Sequence, residues 1–351
     1  GSSEPQTTAR RNANCNPLNA GSLTGACQDP ANFTNIGSAT SPDRKYSVVG
    51  AGKTPIDPDL QPQYSDELVF GAEYDLLKLG RVGTSYTHRE IGRVIEDVSR
   101  DEAQTYFITN PGQGATADFP KPERVYNAFT VFYQKTFGGG WEGQASYTLS
   151  FLRGNYAGLY RPETGQLDPG SNSDFDLKSL TVNRSGWLPG DNRHAFKAFG
   201  SKTFEVSENN DLSFGGAFRA TSGGPTDYLG SHPIYGAEEV YILLRGSGNR
   251  LPWTYNIDGN VHFDRRLGDE RSVGISLDVF NIFNLQELTS RDQEYTSSDV
   301  VPLAGGSRAT LGQLQTINGT RLKRGEVNPN FGNATSYQAP RQIKFGIRGT
   351  F

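Results

Sequence analysis

Nine segments of this chain place apolar and other residues at period two, and the links between them are alternately short and long. Period two is the signature of a β-strand with two different faces. The clearest case sets Trp141, Gly143, Ala145, Tyr147, Leu149 and Phe151 against Glu142, Gln144, Ser146, Thr148 and Ser150. Another sets Leu68, Phe70, Ala72, Tyr74 and Leu76 against Glu67, Val69, Gly71, Glu73 and Asp75. Further segments lie at 81–87, 195–205, 211–221, 255–264, 272–283 and 342–351. In residues 125–137 both faces are partly apolar and the register is open. Short turns follow the first, third, fifth and seventh segments, at Lys78-Leu79-Gly80, Gly138-Gly139-Gly140, Ser207-Glu208-Asn209-Asn210 and Gly268-Asp269-Glu270. Long polar stretches follow the other four. A soluble sandwich has no reason to keep this order. A barrel spanning an outer membrane does, because its periplasmic turns are short and its extracellular loops long.

Composition agrees. Only 34% of the residues are hydrophobic and the mean hydropathy is −0.58, yet there are 20 Phe, 16 Tyr and 42 Gly. A disordered chain is poor in aromatics. A barrel wall needs few aliphatics, because every second residue faces water. No stretch approaches the roughly 18 apolar residues of a membrane-spanning helix, but a tilted strand spans with about 10. A net charge of −4 gives no basic footprint for nucleic acid.

The short-turn rule places the end of the last strand, at Phe351, on the periplasmic side. Phe137, Trp141, Phe204 and Phe263 flank short turns, where a lower aromatic girdle is expected. Residues 1–65 show no period and read as one extracellular loop segment, with the barrel strands over 66–351. Nine is an odd count for a bacterial single-chain barrel. Together with the absence of Met and of a signal-peptide pattern at Gly1, it predicts the C-terminal part of a larger barrel. Cys15 and Cys27 lie close together in a polar segment with no His beside them, which predicts a local disulfide in an oxidising compartment.

The run Asp278-Val279-Phe280-Asn281-Ile282-Phe283-Asn284 resembles a strand end common in TonB-dependent receptors. Asn328-Pro329-Asn330-Phe331-Gly332, then Pro340-Arg341-Gln342, then a strand ending in Phe351, is similar to the Oar-like branch of that family. So are Leu188-Pro189 with Asp191, Arg193 and His194, and the stretch from Arg245-Gly246-Ser247 to Pro252-Trp253. The resemblance covers roughly 66–351. It implies an all-β, antiparallel up-and-down transmembrane barrel of about 22 strands with a plugged lumen. It further implies an N-terminal plug and TonB box, not recognisable in this sequence, and coupling to the inner-membrane TonB complex. Outer-membrane lipid would surround the wall. Phe351, with Ile347 and Phe345 behind it, would form the C-terminal signal read by the barrel-assembly machinery. The function implied is transport of a bulky peptide, protein, glycan or metal chelate; a passive porin and an adhesive or structural barrel are the alternatives.

No catalytic set emerges. Gly52-Lys53-Thr54 lacks the leading Gly of a phosphate loop, since Ser47 stands there, and Pro55 blocks the following helix. His262 shares a strand face with Asp258 and Asp264, as a hydrolase could arrange them, but no Ser or Cys partner is identifiable and the polar lining of a water-filled lumen or plug surface accounts for them. His88, His194 and His232 suggest no role. Glu96, Asp97, Asp101 and Glu102 form an acidic loop that could draw calcium. Tyr160, Trp187, Tyr228, Tyr235, Trp253 and Tyr295 lie in or beside the long loops, where aromatics can grip a ligand.

Overall fold

The computed structural model describes residues 10–12, 33–35, 56–100, 103, 106–158, 173–268 and 271–351. Nine long strands form its main sheet: β1 (Tyr64–Asp75), β2 (Arg81–Gly92), β3 (Arg124–Gly138), β4 (Trp141–Gly154), β5 (His194–Ser207), β6 (Asn210–Thr221), β7 (Thr254–Arg266), β8 (Ser272–Phe280) and β9 (Gln342–Thr350). Each pairs antiparallel with the next in chain order. The two-residue strand Gly186–Trp187 joins the loop end of β4. Four hairpin turns alternate with four long loops, as the sequence pattern predicts.

Local chemistry sets those turns. Gly139 and Gly140 have φ of 65° and 77°, the doubly left-handed pair that matches the twist of a hairpin. A Cβ on Gly140 would also meet the Thr203 carbonyl at 3.0 Å. At the other end, β8 stops at Phe280, before the expected 283. Asn281 and Asn284 both take φ of 52°, a conformation asparagine tolerates well. The Asn281 amide donates to the carbonyls of Leu285 and Ala339, and Asn284 Oδ1 accepts from the Arg341 backbone. The Asn-Ile-Phe-Asn run is therefore a corner that ties the end of β8 to the start of β9.

Register carries the alternation across the whole sheet. Phe70, Tyr86, Phe129 and Leu149 stand side by side on β1–β4. Phe204, Leu212, Phe263, Ile275 and Ile347 do so on β5–β9, with Phe214, Val261, Leu277 and Phe345 in the neighbouring row. A shift of one residue in any strand would scramble this face. Most of these side chains are exposed, Phe345 and Ile347 at 78% and 85%. An apolar face this continuous far exceeds what a soluble monomer shows to water.

The opposite face is polar. Thr130 bonds Thr148 across β3 and β4 at 3.0 Å, and Thr203 bonds Ser213 across β5 and β6 at 2.9 Å. Arg81 pairs with Glu73 at 2.8 Å and Ser201 with Glu142 at 3.1 Å. The mixed pattern of residues 125–137 resolves here. Phe129, Val131 and Tyr133 take the apolar face, and Phe132 on the polar face lies across Gly83, where a Cβ would meet its ring at 2.4 Å.

The buried apolar core lies almost wholly in the long loops. Val240, Ile242, Leu243, Val300 and Leu314 form one cluster, and Val94, Tyr156 and Phe175 another. The first surrounds a small second sheet of Gly236–Tyr241, Leu229–His232, Glu294–Val301 and Gln315–Thr316. These loops read as plain polar stretches in the sequence; they form a folded layer. Within residues 1–65, Arg10–Asn12 pairs with Phe33–Asn35 and β1 begins at Tyr64. Cys15 and Cys27 lie outside the described residues.

Candidate functional site

The loop layer is built around buried charge. Asp174 is fully buried and its Oδ1 accepts from both Arg184 and Arg245, the latter at 3.0 Å. Both guanidiniums also lie against the Tyr241 ring, at 4.9 and 4.5 Å from its centroid. Arg245 also donates to Tyr241 Oη at 2.6 Å and to the Asn155 carbonyl at 3.2 Å. Arg184 donates to the carbonyls of Leu180 and Glu239 at 2.6 and 2.7 Å. Burying two cations is costly unless every donor is met. Here they bind the loop after β4 to the loop after β6. Asn183 adds the loop after β8, donating to the carbonyls of Tyr241, Ile242 and Leu303.

A second group is acidic. Glu96 is 3% exposed, and burial pushes its pKa to about 9, with Asp176, Asp174 and Asp97 acting in the same direction. Burial likewise raises Asp97 to about 6. Asp176 is raised by burial and by Asp97, although Tyr235 donates to its Oδ2 at 2.5 Å. Tyr235 in turn shares a 2.7 Å hydrogen bond with Tyr106. Glu96 is therefore a neutral acid at pH 7. Asp101 and Glu102 lie outside the described residues, and among those described no three acidic, His or Cys side chains converge on a metal position.

The loop aromatics separate. Tyr235 belongs to this interior network. Tyr228 and Tyr295 pack with Phe331, at centroid distances of 5.0 and 5.2 Å from it. Trp253 instead joins the rim of the apolar face, in a stack running Tyr147, His194, Trp253, Tyr255. Trp187 sits against Phe151 at that same rim. Tyr160 lies outside the described residues. The sequence grouped these by loop position, but facing depends on strand parity, which can be counted for Tyr255 and not for a loop residue.

Of the histidines, His262 lies on the polar face, 3.4 Å from Asp264. Asp258 is occupied elsewhere, accepting from the Asn281 backbone and the Asn256 amide. His232 is buried with Nε2 3.2 Å from Ser179 Oγ. Its Nδ1 accepts from the backbone N–H of Ile234 and Tyr235, so Nε2 carries the proton and donates to the serine. That is the reverse of a general base. Burial and the nearby Arg184 lower its pKa to about 4.

At the C-terminus, Phe345 and Ile347 stand on the apolar face opposite Leu277 and Ile275, and Phe351 follows the last paired residue fully exposed.

No family model matches the chain. It is 45% identical over 348 residues, 96% of its length, to the TonB-dependent transporter Oar of Myxococcus xanthus. It spans 33% of the length of that curated relative, at its C-terminal end. Among solved structures it is similar to the closed form of the ferric-catecholate import receptor Fiu of E. coli K12, with a TM-score of 0.39, 13% identity, and coverage of 67% of this chain and 25% of that one.

Proposed function

We propose, from the premise that this chain belongs to the TonB-dependent transporter family, that it forms the C-terminal wall and extracellular loop layer of an outer-membrane transporter. The observation that carries this is the apolar face held in register across nine strands and backed by a polar face. Such a sheet is stable when lipid covers one side and water or a plug the other. The remaining strands of a roughly 22-stranded barrel would pair with the free edges of β1 and β9. An N-terminal plug would lie against the polar face, where Glu142, Ser201, His262 and Asp264 offer hydrogen bonds. Transport of a bulky substrate (peptide, protein, glycan or metal chelate) would draw on the inner-membrane TonB complex. The folded loop layer would make first contact with it. Cys15 and Cys27 would form a disulfide in the loop preceding β1, and Phe345, Ile347 and Phe351 the segment read by the assembly machinery.

Deleting the full-length gene and deleting its TonB partner should abolish the same uptake or release. Unrelated phenotypes would leave a passive porin or an adhesive barrel as the better account. A plug-deleted transporter that keeps its full transport rate would favour the porin.

A further inference from the structure

The apolar face ends at the loop side in a cluster with an excess of positive charge among the described residues. Arg153 is an exposed residue two positions beyond Phe151 on β4, on the apolar face. Its guanidinium lies over the Trp187 ring at 5.1 Å, and that of Arg193 lies over the same ring at 4.4 Å and over Phe151 at 5.7 Å. Among the described residues the carboxylate that pairs in this cluster is Asp191. It is already held by Arg250, whose Nη1 also donates to the Asp191 carbonyl at 2.7 Å. Arg193 Nε is buried and pairs with Asp191 at 3.5 Å, without a hydrogen-bond acceptor among the described residues, which leaves its terminal nitrogens to face a ligand. Arg153 makes no ion pair among the described residues. The next acids along the row, Glu90 and Asp66, stand two and three strands away, about 10 Å or more at the usual strand spacing.

Depth fixes what this cluster meets. Trp141 marks the lower rim of β4, and Arg153 stands 12 residues along the same strand. At ~3.4 Å per residue and a tilt of about 40°, that is about 30 Å, the thickness of a bilayer's hydrocarbon core. Arg153 and Arg193 therefore lie at the headgroup level of the outer leaflet. Below them the same face carries an apolar cleft of ≈ 760 Å³ bounded by Val131, Tyr133, Ala145, Tyr147 and Phe196.

We infer that this rim binds one phosphorylated glycolipid of the outer leaflet. The two guanidiniums take a phosphate in charge-assisted hydrogen bonds, held in place by Trp187. The acyl chains fill the cleft beneath. The inference rests on the membrane placement proposed above.

The test uses the intact transporter, stripped of lipid, titrated with bis-phosphorylated lipid A and read by native mass spectrometry. One lipid A per protein is expected. R153Q/R193Q should weaken it at least tenfold, R153K/R193K should keep most of it, and Arg265→Gln at the opposite rim should leave it unchanged. All variants are first checked for heat-modifiable migration on gels, so that a misfolded protein is recognised. Dephosphorylated lipid A should bind poorly, and inorganic phosphate should not displace the lipid. Equal binding by R153Q/R193Q, equal binding of dephosphorylated lipid A, or displacement by inorganic phosphate would overturn the site. Quenching by brominated lipids, read as the difference between wild type and W187F, tests the placement separately. No quenching would overturn the membrane reading itself.

Discussion

At the scale of single residues, the loop layer depends on a few buried polar groups. Asp174 pairs with both Arg184 and Arg245, and Glu239 reaches Arg184 at 3.6 Å, so Asp174→Asn removes the carboxylate that the two buried cations share. The expected cost is about 3–5 kcal/mol, within the range for breaking a buried ion pair. Urea titration followed by limited proteolysis of the loops should show it, with the strands unaffected. Glu96 makes a pH prediction. Its pKa is raised from 4.5 to about 9, so the folded state holds a proton that the unfolded state has lost. Loop-layer stability should therefore fall as pH rises from 4.5 towards 9, and Asp97 should add to the fall between 3.8 and about 6. His232 acts oppositely: lowered from 6.5 to about 4, it withdraws stability as pH falls through that window. Glu96→Gln, which mimics the neutral acid, should shrink the difference in loop proteolysis between pH 6 and pH 8, with Asp176 supplying what remains. An unchanged pH profile in that variant would count against a neutral Glu96. The sequence marked Glu96 and Asp97 as an acidic loop, but the buried pairing of this network was not legible in it. Asp174, Arg184 and Arg245 are 10 and 61 residues apart in stretches without period, and only the fold brings them together.

At the scale of elements, the sequence was far more informative. β4, β5, β6 and β7 begin and end within about three residues of where alternation places them, because each strand must present one face to each environment. What alternation missed has a local cause. β8 stops early because Asn281 and Asn284 turn the chain, and β3 looks ambiguous because Phe132 covers Gly83 on the polar face. The two faces should respond differently to charge. Val261 stands near the middle of the apolar face of β7, between the Gly259 and Phe263 positions. Val261→Arg should cost about 2–4 kcal/mol in lipid vesicles, whereas Asn260→Arg on the polar face should cost much less. Equal costs would mean that both faces meet the same medium. The last strand makes its own prediction: Phe351→Ala should slow accumulation of folded transporter in the outer membrane without changing the stability of what does fold.

At the scale of the whole molecule, nine strands make an open sheet whose edges, β1 and β9, need partners. The match to one third of a longer relative accounts for both the open edges and the odd strand count. It also explains the unusual place of the core. In a soluble protein the sheet would bury its apolar face against itself or a helix. In the proposed placement that face is left for lipid, and the core of the described residues gathers in the loops beyond the bilayer. The proposed Cys15–Cys27 disulfide closes a loop worth about 3 kcal/mol in restricted unfolded states. Alkylation of the unfolded, unreduced chain should label neither cysteine, and labelling after reduction should reach both.

The most direct test of a lipid-facing wall is a nitroxide scan of residues 255–265 in the intact transporter, reconstituted in bilayers. The native cysteines are first replaced by serine, so that only the introduced position is labelled. Positions 255, 257, 259, 261 and 263 should be relaxed by oxygen dissolved in the lipid. Positions 256, 258, 260, 262 and 264 should be relaxed by a water-soluble nickel reagent or be shielded from both. Loss of that period-two alternation, or its reversal, would contradict the account.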